Sequence, residues 1–390
     1  MSILFGNEYE FLSSGQADYV CASFLDSSKF VVVYRDVSDS SHGTAKVGTV
    51  SGTTITFGEE AEFLSTGSTT WNTLSILDES QFVVGYRDGS DAGHGTAKVG
   101  TVSGTTITFG AESEFSSGGS TSQIQSIQLS GSKFVFIYRD VADGSHGTAK
   151  VGTVSGTTIS FGAETEFVNS GVVIYLSISR LDSSKFVIAY TDSADANHGT
   201  AKIGTVSGTT ITFGEEEEFA GGLITVFNEV AALNESKFII AYQDITSGGH
   251  GLARIGTVSG TTITIGAATE FFSSGTASYL SVEKLTESQF AIMYSEDDNG
   301  DRGAAKIGTV SDTTIAFGEE AEFSSSSIFH SMAQFNGLQF LVAYRDQSDS
   351  DHGTVRIGNL IEESPVDLLA VGHQQMASFW HPENWKHRVR

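Results

Sequence analysis

One stretch constrains this chain more than any other: HGTAKVGTVSGTTITFG, read most cleanly from His42 to Gly58. It returns at 94, 146, 198 and 250 with few changes, and in altered form at 302 and 352. The phenylalanine that closes it falls at Phe5, Phe57, Phe109, Phe161, Phe213 and Phe317, with Ile265 in the same series, so the step is 52 residues (57−5, 109−57 and onward). A period of this length without a helical pattern is the mark of stacked or ring-forming repeats.

Within one repeat, four runs alternate with turn signals, each with the period of two of a half-buried strand. In the second repeat these are Trp71 to Leu77 (a), Phe82 to Asp88 (b), Gly95 to Val102 (c) and Thr105 to Phe115 (d). The b runs FVVVYRD, FVVGYRD and FVIAYTD are rich in the β-branched and aromatic residues that suit strands. Between c and d, Ser103 and Gly104 predict a tight hairpin.

The ends of the chain indicate how the repeats are joined. Ser2 to Phe11, SILFGNEYEF, reads as a lone d strand, whereas the seventh repeat stops at Asn359 and Leu360 without one. Pairing the two closes a circle and removes the exposed sheet edges of an open array. Over residues 2 to 360 the chain therefore resembles a seven-bladed β-propeller: an all-β ring of four-stranded antiparallel blades, a innermost and d at the rim. Two regions follow, the propeller at 1–360 and a tail at 361–390. The resemblance is architectural. The GH and WD pairs of WD repeats and the paired glycines of kelch repeats do not occur in their pattern, and the SxDxGxTW box of sialidase-like blades and the DxDxDG loop of integrin-type blades are missing.

Composition narrows the partners. The formal charge of −26, from 47 acidic and 21 basic residues, argues against nucleic acid, whose binding needs Lys and Arg against phosphate. Cys21 is the sole cysteine, so no intrachain disulfide forms. The N-terminus shows neither the basic start nor the apolar run of a signal peptide, no stretch has the length of a membrane span, and the compartment stays open.

Propeller geometry puts the b-to-c and d-to-a connections on one face, the top. The b-to-c loop reads YRDxxDxxHG, with Asp36, Asp39 and His42 repeated in four further blades. Carboxylates with an imidazole suit a metal or a hydroxylated ligand; near-identity across blades equally suits a loop that caps its own amides. Asp297, Asn299 and Asp301 have the first spacings of a calcium loop without its distal glutamate, which makes calcium the candidate ion.

The d-to-a loops differ from blade to blade. Just beyond them stand Tyr19, Trp71, Gln123, Tyr175, Phe227, Tyr279 and Phe329, six aromatics in seven. Tyr19, Trp71, Tyr175 and Tyr279 are the candidate sugar-stacking residues, with Arg35, Arg87, Arg139 and Arg345 on the same face for hydroxyls; the bland alternative makes the aromatics wedges between blades. Arg180, Glu229, Glu283 and Lys284 are irregular charges on strand a, which either line the channel or are simply solvated. No catalytic constellation stands out, and the chain is expected to be a non-enzymatic, multivalent lectin-like module whose partners are glycans or a protein surface. The competing expectation is a structural or assembly protein. In that reading the tail makes the contacts: Ser364, Pro365 and Asp367 resemble a helix start, ahead of an apolar face at Leu368, Leu369, Met376, Phe379 and Trp380.

Overall fold

The computed structural model describes residues 2–361. The tail, with its expected helix and its contacts, lies outside the described residues. Among those described, seven antiparallel sheets each follow the order a, b, c, d. In the second blade a is Thr69–Asp78, b is Gln81–Asp88 and c is His94–Ser103. Strand d comes in two pieces, Thr106–Phe109 and Ser113–Ser116, both paired to c. Between the pieces the chain passes close to its neighbour: a Cβ on Gly110 would sit 2.3 Å from the Thr157 carbonyl of the next blade.

The ring closes as expected. Ser2–Phe5 and Tyr9–Leu12 pair with His352–Ile361, in a register that sets Ile3 opposite Leu360 and Tyr9 opposite Val355. Arg356 fastens the join, its Nε donating to the Gly6 carbonyl at 2.9 Å and its Nη1 to Glu8 at 3.1 Å. In five of the other blades a lysine holds the equivalent place, with Arg254 in the fifth; Lys98 donates to the Phe63 carbonyl of the preceding blade and pairs with Glu112 at 3.0 Å.

The core lies between blades. Alternate residues of strand b face opposite neighbours, so Val83 packs in the cluster shared with the third blade while Val84 and Tyr86 pack in the cluster shared with the first. The repeated glycines of strand c make room for rings. A Cβ on Gly100 would meet Phe82 at 2.2 Å, and one on Gly95 would meet Phe115 at the same distance. This explains why GTAKVGTV is copied so closely: neither position admits even a methyl group without displacing a fully buried ring.

Candidate functional site

At the top of every strand a the pairing with b slips; in the first blade it jumps from Asp18 to Cys21. The residue inside this bulge has a positive φ in all seven blades: Tyr19 49°, Trp71 56°, Gln123 54°, Tyr175 55°, Phe227 51°, Tyr279 47° and Phe329 54°. Left-handed backbone is unusual for bulky side chains and costs on the order of 1 kcal/mol each. The bulge re-aims these side chains, and all seven line one cavity of about 290 Å³ at the top of the central channel.

There they form a collar. Ring centroids are 5.4 Å apart for Tyr19 and Trp71, 5.4 Å for Tyr19 and Phe329, 5.5 Å for Tyr279 and Phe329, 5.4 Å for Phe227 and Tyr279, and 5.1 Å for Tyr175 and Phe227. The circle is interrupted at Gln123, whose Oε1 accepts from the Tyr175 amide at 2.9 Å. The collar residues are half-buried, and Trp71 also packs on the cluster between the second and third blades. Trp71 thus packs between blades as the wedge reading expects, while part of its ring stays open to the cavity. Burial raises the phenol pKa of Tyr19, Tyr175 and Tyr279, so their hydroxyls remain protonated donors.

The convergence alters one expectation. Repeated shallow sites, one per blade, are not what the aromatics build; they build a single composite mouth.

Below the collar the channel continues into a polar chamber of about 540 Å³, which Arg180, Glu229, Glu283 and Lys284 line as the sequence suggested. Glu229 borders both spaces, with Ser177 Oγ donating to it at 3.1 Å. Burial pushes the carboxyls of Glu229 and Glu283 up to about 8. Burial also lowers the imidazole of His330 to about 4. That ring sits 3.0 Å from the Tyr279 carbonyl through Nδ1 and 3.0 Å from Ser327 Oγ through Nε2.

The four arginines rim the collar in adjacent blades. Asp18, nearly fully buried, accepts from Arg35 and, at 2.8 Å, from Arg345, which also donates to Asp351 at 2.8 Å. The Arg35 guanidinium lies 5.1 Å from the centre of the Tyr19 ring. Arg87 and Arg139 instead meet serine hydroxyls, Ser120 at 3.2 Å and Ser122 at 2.7 Å.

The b-to-c loops divide their two carboxylates. Asp36 caps the loop, accepting from the amides of Ser38 and Asp39 at 2.9 and 3.2 Å. Asp39 faces His42, and the third partner is Glu62 of strand d, both carboxylates standing 3.6 Å from His42 Nδ1. The same group recurs as Asp91, His94 and Glu114, and in three further blades. Sequence spacing concealed Glu62, which lies 20 residues on; the repeated AEF and SEF of strand d was the available signal. These donors could hold a divalent cation, an imidazole with carboxylates favouring a zinc-like ion over calcium. In the sixth blade a guanidinium takes the place, Arg302 pairing with Glu296, Glu320 and Glu322.

The calcium candidates Asp297, Asn299 and Asp301 fall on a turn and the residues just after it. Asp297 and Asn299 lie in a 3₁₀ turn, where Ser278 Oγ donates to Asp297 and Asn299 Nδ2 donates to Glu296. Asp301 takes a positive φ of 60° beyond the turn, the backbone geometry of a loop end. Among the described residues, no helix is long and apolar enough to cross a membrane.

No family model matches the chain, and no curated protein matches it. Solved structures do. A polysaccharide lyase, an ulvan lyase, is similar with a TM-score of 0.56 at 10% identity, over 93% of this chain and 99% of its own. The structure of an ulvan lyase bound to -[GlcA(1-4)Rha3S]- gives 0.55 at 11%, over 93% and 99%. A protein of unknown function from Dyadobacter fermentans gives 0.54 at 10%, over 92% and 99%.

The chain is a seven-bladed β-propeller. At this identity the likeness shows the fold alone, yet it corrects one expectation. A propeller shared almost end to end with a lyase cannot be set aside as non-enzymatic because its motifs show no catalytic constellation.

Proposed function

We propose that this propeller binds carbohydrate at the mouth of its central channel, the sugar stacking on the aromatic collar. The observation that carries the reading is the convergence of six aromatic rings, each aimed by a strained bulge, around one cavity of about 290 Å³. Such faces suit the apolar sides of pyranose rings, and a rim of tyrosine hydroxyls, Gln123 and arginines offers partners for the hydroxyls. Propellers acting on polysaccharide, such as the ulvan lyase, support the class and leave the ligand open.

Because the collar is one composite site, the avidity expected from seven repeated sites is replaced by contact of a single sugar with several blades. The test is a glycan array on the full chain followed by titration of the hits against Trp71→Ala. Binding that Trp71→Ala weakens supports the site. Binding indifferent to Trp71, or no binding at all, removes it.

A further inference from the structure

The four rim arginines occupy equivalent positions at the ends of strand b, in the seventh, first, second and third blades. Their surroundings differ in one respect. In the seventh blade the residue before the strand c histidine is Asp351, which neutralises Arg345; in the first, strand a supplies Asp18, which neutralises Arg35 and reaches Arg345 as well. The corresponding residue beside Arg87 is Gly93, so bare that an added Cβ would lie 2.6 Å from the guanidinium. Beside Arg139, the place of Asp18 is taken by Ser122.

Arg87 and Arg139 therefore stand without the carboxylates that Arg35 and Arg345 have, in a chain where acids outnumber bases 47 to 21. Among the described residues, neither has an acidic partner within 4.0 Å, and each uses only Nε, toward Ser120 and Ser122 respectively. Anchoring through Nε leaves both terminal nitrogens of each fork without a protein partner, the geometry that suits a planar oxyanion. Ser122 adjoins Gln123 in sequence and Ser120 lies three residues before it, so both guanidinium groups are anchored on the segment that leads into the one break in the collar. Burial without a compensating charge lowers the pKa of Arg139, and the charge of Arg87 is felt at the Tyr19 phenol.

We infer that Arg87 and Arg139 form an anion subsite beside Gln123, and that the saccharide taken by the collar is acidic, carrying a carboxylate or a sulfate. The inference rests on the sugar-binding reading and narrows it. The net charge of −26 repels polyanions at long range, so an acidic chain binds only where this contact outweighs the repulsion.

The experiment is calorimetric titration of the full chain with three oligosaccharides of equal length: an oligogalacturonate, a sulfated galactan and a neutral cello-oligosaccharide. Wild type should bind one of the acidic ligands about tenfold more tightly than the neutral one, with a preference that fades as salt rises. The ligand preferred tells carboxylate from sulfate.

In Arg87→Gln/Arg139→Gln the preference should vanish, acidic and neutral ligands then binding with about equal affinity. A second variant, Gly93→Asp, restores the carboxylate that the seventh blade has and should weaken the preference with both arginines in place. A thermal melt checks that each variant folds. Equal affinity for all three ligands in wild type overturns the anion subsite and leaves the collar reading standing, as does a preference that survives in the folded double variant. If none of the three binds and the array is blank, the collar reading itself falls.

Discussion

At the scale of single residues, the same side chains hold the fold and shape the site, and the two roles separate by measurement. Trp71 is half-buried, so Trp71→Ala should cost about 2 kcal/mol of stability, less than a full core truncation, together with on the order of 1 kcal/mol or more of saccharide affinity. A thermal melt paired with a titration reads both. Gly100→Ala touches no site and should still destabilise by about 1–3 kcal/mol, because the methyl group would press on the buried Phe82 ring. An unchanged melt would show that the ring has room to move. The channel carboxyls set a pH dependence. Glu229 and Glu283 hold their protons to about pH 8 when folded, so their contribution is complete below the ordinary carboxylate pKa and is lost as pH rises through 8. His330, lowered to about 4, works the other way, its contribution being lost as pH falls from 6.5 toward 4. Above pH 6.5 the carboxyls act alone. Melting temperature should fall between pH 6.5 and 8.5, by a smaller amount in Glu229→Gln, and a flat profile would contradict the burial of these groups.

At the scale of elements, the closing strand carries the most risk. Without residues 2–12 the c strand of the seventh blade, His352–Ile361, presents an unpaired edge and the clusters holding Ile3 and Phe11 lose those side chains. Deletion should lower the melting temperature and promote aggregation, read by a melt with light scattering; wild-type behaviour would mean that the ring closes otherwise. In the 3₁₀ turn at Asp297–Asn299 one oxygen of Asp297 already accepts from Ser278 Oγ, so EGTA should leave the melting temperature unchanged. A calcium-dependent shift would contradict that arrangement. The elements were the part most legible in the sequence, since period-two runs, the Ser-Gly turn and the orphan N-terminal strand each correspond to one local interaction. What the sequence did not disclose needed three dimensions: the split of strand d beside a neighbouring blade's turn; the bulge that turns seven residues with positive φ toward one axis; and Glu62 reaching His42 across a sheet.

At the scale of the whole molecule, a ring of near-identical blades acquires a distinct mouth through small departures from its repeat: Gln123 among the aromatics, Asp18 and Asp351 beside two of the rim arginines but not the other two, and Glu229 beneath the collar. These departures were visible in the sequence, but only closure of the ring sets them around one opening. The most direct test of that account uses Trp71 as its own reporter. The other two tryptophans, Trp380 and Trp385, lie in the tail, so Trp380→Phe/Trp385→Phe leaves one indole, in the collar. Its emission should change saturably with a saccharide taken from the array, at a stoichiometry of one ligand per chain. Emission indifferent to a ligand that binds, or saturation at several ligands per chain, would contradict a single site at the collar.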